Sequence, residues 1–225
     1  MANNTKGLST NSNTYTVIYA AVMVIIVAFL LSFVSSALKE RQDNNKSLDV
    51  KKQILSSLNV NNVEDAKAEY EKYVKQVLNA DGTVLKSAAD FDVLKENETP
   101  VIYQCDVNGE TKYVFPLRGN GLWGAIGGYI AIDADQSTCY GIFFRHDSET
   151  PGLGAEITTD KFKSQFIGKN IKRDGAFTSI AVLKKGVKVE GKDAVDAISG
   201  ATLTCNGVNA MLFSSLKKYD FLTKK

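Results

Sequence analysis

The longest apolar run in the chain lies near its start. From Tyr15 to Leu38 the sequence reads YTVIYAAVMVIIVAFLLSFVSSAL, and positions 17–34 are apolar apart from Tyr19 and Ser32. At 1.5 Å per residue, roughly 20 such residues cross the ~30 Å hydrocarbon core of a bilayer. The pattern predicts a spanning helix over 15–38 behind a short tail, 1–14, with Tyr15 and Tyr19 at the level where amphipathic rings favour the interface. Ser35-Ser36-Ala37 also carries the small residues a signal peptidase accepts, so a cleaved signal peptide is the rival reading. The length of the run and its single preceding Lys6 favour an anchor.

After a polar stretch, 39–47, that reads as a juxtamembrane stalk, the period becomes helical. Leu48, Lys51, Ile54, Leu55 and Leu58 share one stripe. A second stripe, opened by Asn62 as N-cap with Asp65 three residues on, aligns Val63, Ala66, Tyr70, Val74 and Val77, and Asp81-Gly82 closes it. From Pro100 the signals are those of strands. VIYQCDV, the Asn108-Gly109 pair and ETKYVFPL predict a hairpin with a type I′ turn. Further strand-like runs follow at 128–133, 138–145, 177–183 and 186–190, with a short helix at 159–167. From about Leu203, the residues Leu203, Val208, Met211, Leu212, Leu216 and Tyr219 fall near helical spacing. The expected fold class is α+β: a single N-terminal transmembrane helix (15–38), a stalk and helical segment (39–98), and a soluble domain (99–225) of antiparallel sheet with flanking helices.

Charge sharpens that division. The 225 residues hold 27 Lys+Arg and 25 Asp+Glu, yet none lies between Lys6 and Lys39. The rest of the chain is therefore close to neutral. It has no basic stripe of the kind that neutralises phosphates along a nucleic acid, and a single apolar run excludes a multi-span transporter. With no ionisable group inside it, the predicted span holds no proton or sodium relay. Lys39, Arg41, Lys46, Lys51 and Lys52 follow the span, and this count alone would place the large domain in the cytoplasm. Cys105, Cys139 and Cys205 are isolated, with no CxxC and no partner His. They read as small buried hydrophobes rather than as a zinc or iron–sulfur site.

Three clusters carry candidate chemistry. Asp196-Ala197-Ile198-Ser199-Gly200-Ala201-Thr202-Leu203-Thr204 crowds small residues at a predicted helix start, where unpaired N–H groups and the helix dipole favour an anion. The hydroxyls of Ser199, Thr202 and Thr204 would help hold a phosphate there. The alternative is a plain Ser/Thr helix cap. His146-Asp147-Ser148-Glu149-Thr150-Pro151-Gly152-Leu153-Gly154 is a punctuated loop after a strand, whose His is either a base or ligand, or a surface residue bonded to its own loop. Gly119-Asn120-Gly121-Leu122-Trp123-Gly124 sets the only Trp among glycines, as a core edge or as a flat wall for a planar ligand.

Taken in order, the uncharged N-terminal helix, RGNGLWG, HDSETPGLG, KFKSQFIGK and DAISGATLT closely resemble the family formed by the C subunit of the sodium-translocating NADH:quinone oxidoreductase. The C-terminal half also resembles the wider FMN-binding domain found in the G subunit of Rnf complexes. The resemblance implies FMN joined through a phosphoester to Thr202, the last residue of D-x-x-S-G-A-T, by a separate flavin transferase. It further implies that Ser199, Gly200 and Ala201 surround the phosphate and that Trp123, Glu149, Thr150, Leu153 and Leu203 approach the flavin. Asp196 would be read by the transferase or position the loop, and His146 has no implied role. The implied function is electron carriage within a membrane complex that oxidises NADH, reduces quinone and exports Na+. Its partners would be the other subunits of that complex. NADH would bind elsewhere in the complex, consistent with the lack of a Rossmann fingerprint here. The implied location is the bacterial cytoplasmic (inner) membrane with the soluble domain on the outer, periplasmic side, opposite to the charge count. An Rnf-type subunit and a non-redox envelope binding module, with SGATLT as a mere cap, are the alternatives.

Overall fold

A computed structural model describes residues 12–96, 98–187 and 189–223 of the chain. The chain divides into two compact units at Lys46/Ser47. In the first, helix α1 (Asn13–Ser57) begins, and it continues unbroken through the polar residues 39–47 expected to form a stalk. It is long and apolar enough to cross a membrane, and none of its most apolar window is buried against protein. Val17, Ile25, Phe29 and Leu31 are all exposed, as side chains bound for lipid must be.

In the second unit the last turns of α1 bury Ile54 and Leu55. Helix α2 (Ala66–Tyr73) follows, capped by Asp65, whose carboxylate accepts from the N–H groups of Lys67 and Ala68 at 3.0 and 3.1 Å. Asn62, the expected cap, instead sits at φ +60 in the preceding loop. The second helical stripe also ends early: Val74 and Val77 lie on strand β1 (Val74–Asn79), and Asp81-Gly82 turns the chain into β2 (Val84–Ser87). Strands β3 (Val101–Val107), β4 (Glu110–Asn120), β5 (Ala125–Asp133) and β6 (Cys139–His146) complete an antiparallel sheet of order β2-β1-β3-β4-β5-β6. The β3–β4 hairpin has the expected turn, with Asn108 at φ 56 and Gly109 at φ 84.

The sheet is covered on both faces, which is why β5 is buried along nearly its whole length. Alternate residues serve opposite cores. Tyr103, Cys105 and Val114 pack with Ile54, Leu55, Leu58 and Tyr70, whereas Ile102, Phe115, Leu117 and Ile130 pack with Val208, Met211 and Leu212. Those last three belong to the C-terminal helix.

The remaining chain wraps this second face. A 3-10 turn (Gly154–Thr158) leads into the short helix α3 (Asp160–Lys163), matching the helix expected near 159–167. The run at 177–183 is divided between two small ribbons. Strand β7 (Lys172–Arg173) pairs with β8 (Ala176–Phe177), and β9 (Ala181–Leu183) pairs in parallel with β10 (Ala194–Asp196). The strand expected at 186–190 does not form at its described positions. Val187 and Val189 are exposed with no sheet to alternate against, and Lys188 lies outside the described residues. Helix α4 (Thr202–Leu216) and the short α5 (Asp220–Thr223) end the described chain.

Candidate functional site

Three segments converge at the start of α4: the β4–β5 loop bearing Trp123, the loop after β6 bearing Glu149 to Leu153, and the turn between β10 and α4. Glu149 joins them. Its side chain is buried, with the residue only 4% exposed. One carboxylate oxygen accepts the Trp123 N–H at 2.8 Å, and the other accepts the Thr204 hydroxyl at 2.6 Å. Burial alone would raise this carboxyl's pKa. The Thr204 hydroxyl and the N–H groups of Trp123, Gly124 and Leu122 outweigh it and hold the pKa below the ordinary value. Bare backbone is needed around the carboxylate, since a Cβ on Gly121 or Gly154 would fall on one of its oxygens.

The β10–α4 turn is closed by the Ala201 N–H donating to the Ile198 carbonyl at 3.1 Å. Gly200, third in the turn, has φ +79, a conformation that a side chain makes costly. A Cβ there would also lie 2.8 Å from Cδ2 of Leu153, so the glycine lets the Leu153 loop close on the turn. The Ile198 N–H donates to Sγ of Cys205 at 3.3 Å, tying the turn to the first turn of the helix behind it.

The helix start is not capped by a side chain. Ala201 occupies the N-cap and makes no such bond, so among the described residues no side chain of the turn takes up the first N–H groups of α4. Thr202 is the first helical residue and is exposed, as are Ser199 and Gly200. This removes the reading of the motif as a plain Ser/Thr cap. It also corrects one expectation within it: the Thr204 hydroxyl faces inward to Glu149 and is not available to a phosphate.

The structure thus separates the expected site residues by role. Trp123, Leu153 and Leu203 are 66%, 41% and 59% exposed, an apolar set on the segments that meet at Thr202. Thr150 is exposed as well, and its carbonyl accepts from the N–H groups of Leu153 and Ala155, both at 3.1 Å. Glu149 is an internal tie with both oxygens engaged. Nδ1 of His146 accepts the Glu149 N–H at 3.3 Å, so this histidine is the residue bonded to its own loop. Asp196 ends β10 with its carboxylate at the surface, while its backbone exchanges bonds with the Gln165 side chain at 2.9 and 3.4 Å.

Two hollows flank the turn. One, of about 270 Å³, is bordered by Ser199, Gly200, Thr202 and Cys205 together with Lys184 and Lys185. The other, of about 540 Å³, contains Asp196, Glu156 and Phe162. Sequence motifs point neither to the lysines nor to the Cys205 tie. Only the β9–β10 pairing, 13 residues apart in register, brings Lys184 and Lys185 to the turn.

An exposed hydroxyl at an uncapped helix start, a glycine in the turn beside it and the exposed indole of Trp123 with Leu153 and Leu203 on the neighbouring segments are features that suit a phosphorylated planar ligand. Comparison with known proteins agrees. An FMN-binding domain model matches residues 121–217, which contain all three converging segments. The chain is 28% identical to the C subunit of the Na+-translocating NADH-quinone reductase of Vibrio anguillarum over 210 residues, 82% of either chain. The crystal structure of the corresponding protein from Parabacteroides distasonis superimposes with a TM-score of 0.75 at 40% identity, over 84% of this chain and 98% of that one. That of Shewanella oneidensis NqrC gives 0.65 at 29% identity, over 79% and 96%. The chain belongs to the NqrC family, the C subunits of the Na+-translocating NADH-quinone reductase.

Proposed function

We propose that this chain is the electron-carrying subunit of a membrane complex that oxidises NADH, reduces quinone and exports Na+, and that it carries FMN through a phosphoester to the hydroxyl of Thr202. The observation that carries the reading is the placement of Thr202. It is the exposed first residue of α4, behind a turn whose third residue, Gly200, has the positive φ that glycine favours, and ahead of N–H groups left without a side-chain cap. A phosphodiester there keeps one negative charge, which the helix start favours.

When bound, FMN supplies reversible electron transfer, and the protein supplies position and surroundings. Thr202 fixes the phosphate end. Ser199 and the N–H groups at the head of α4 would donate hydrogen bonds to it. Trp123, Leu153 and Leu203 present apolar surface for the ring system and exclude water from part of it. Glu149 acts one layer below, holding the Trp123 loop and the head of α4 in register before any ligand arrives. Asp196 would be read by a flavin transferase; its exposure, six residues before Thr202, supports this. Helix α1 anchors the protein and, with no Asp, Glu, His, Lys or Arg over 15–38, serves to hold and pack rather than to pass sodium. The soluble domain lies on the outer face of the cytoplasmic membrane, where the transferase would modify it.

The test is flavin fluorescence of the denatured chain in a gel after coexpression with a flavin transferase. Fluorescence in the parent and none in Thr202→Ala is the expected result. A dark parent, or fluorescence that survives in Thr202→Ala, would defeat the covalent assignment.

A further inference from the structure

The two hollows beside the β10–α4 turn differ in charge. The one that contains Asp196 and Glu156 also has Lys161 and Lys185 on its wall, so carboxylates and ammonium groups balance there. Among the described residues, the one that contains Thr202 has no Asp or Glu on its wall, and Lys184 and Lys185 border it. Chain geometry sets this arrangement. Leu183 pairs with Asp196 in the parallel β9–β10 ribbon, and the Ala197 N–H donates to the Leu183 carbonyl at 2.6 Å. The chain therefore leaves β9 as Lys184-Lys185 directly alongside Ala197-Ile198, one step before the turn. A bond from the Val187 N–H to the Lys184 carbonyl at 3.0 Å curls the lysines into a turn of their own. Among the described residues, neither lysine takes part in an ion pair. The first turn of α4 contains no acidic residue to compete for them.

We infer that Lys184 and Lys185 are the counter-charge of the flavin phosphate on Thr202, closing over it from the β9 side while the head of α4 supports it from the other. This rests on the reading of Thr202 as the flavin site and adds the cations that the D-x-x-S-G-A-T motif lacks. Two exposed lysines near a phosphodiester give a modest, salt-screened attraction. That attraction exists only when the phosphate is present, so it is measurable as a coupling between the lysines and the modification.

The experiment compares the full chain in detergent with the Lys184→Gln/Lys185→Gln double variant. Each is prepared with flavin, by coexpression with a transferase, and without it, and each is melted at low and high salt. The expected result is that the unmodified forms melt together, while the flavinylated variant melts about 2–4 °C below its flavinylated parent at low salt. The gap should close at about 1 M salt, and Lys184→Arg/Lys185→Arg should restore the parent value. Equal melting of the two flavinylated forms overturns the inference, as does a gap that persists at high salt or appears equally without flavin. A parent that takes up no flavin would defeat the Thr202 reading and this one with it, whereas a flavinylated parent with no lysine-dependent gap defeats this one alone.

Discussion

The hydroxyl of Thr204 donates to Oε2 of Glu149 at 2.6 Å, across 55 residues of chain, and both groups are buried. This bond fixes the head of α4 to the loop after β6, and so fixes where Thr202 stands two residues earlier. Thr204→Val keeps the shape and removes the donor, leaving a buried carboxylate short of a partner. It should cost about 1–3 kcal/mol of unfolding free energy, read by chemical denaturation, and should also lower the fraction of chain that accepts flavin. Unchanged stability would mean that Glu149 is satisfied without Thr204.

Glu149 gives the domain an acid-sensitive element. Its folded-state pKa lies below the ordinary carboxyl value of 4.5, so near that value the unfolded chain binds more protons than the folded one and stability rises with pH. The contribution is complete above the unfolded pKa and is lost as pH falls through the folded one. Melting temperatures followed downward from about pH 6 should fall less steeply in Glu149→Gln than in the parent once the pH is below about 4.5. Parallel curves would refute the assignment.

Gly200 is where conformation and packing coincide. Gly200→Ala forces a side chain to φ +79 and against Leu153. A loss of about 1–2 kcal/mol is expected from the backbone alone, accompanied by reduced flavinylation on intact-mass analysis. An alanine variant of parental stability and full flavin content would show that the turn relaxes freely.

Asp196→Asn should separate recognition from stability. The carboxylate is exposed, so the variant should denature within about 0.5 kcal/mol of the parent while taking up much less flavin from the transferase. Undiminished uptake would remove Asp196 from the recognition motif.

How much of the fold is legible in the sequence depends on whether the controlling contacts are local. The Asn108-Gly109 turn, the apolar run before Leu38 and the helix beginning at Thr202 each rest on neighbours in the chain, and each is legible. Strand β1 is not. Its pairing slips at Val77/Leu78 on one side and at Val74/Gln76 on the other, and these irregularities leave Val74, Val77 and Leu78 as its buried positions. That is i, i+3, i+4, a helical signature written by bulges in a strand. The converse error lies at 186–190, where alternating valines suggest a strand but face solvent.

At the site, the hydroxyl and glycine pattern of Ser199-Gly200-Ala201-Thr202 is visible because a turn and a helix start are short-range features. The ETPGLG motif draws attention to Glu149 but not to its hydrogen bonds. Its partners, Thr204 and the Trp123 N–H, lie 55 and 26 residues away and follow only from the sheet. The same applies to Cys205, which holds the Ile198 N–H, and to Lys184 and Lys185.

The central claim is that Thr202, among several nearby hydroxyls, bears the cofactor. Trypsin should release Asp193–Lys217 as a single peptide containing Ser199, Thr202 and Thr204. After coexpression with a flavin transferase, fragmentation mass spectrometry of that peptide should show a gain equal to FMN less one water, localised to Thr202. The same gain on Ser199 or on Thr204, or an unmodified peptide from a chain that fluoresces elsewhere, would contradict the account.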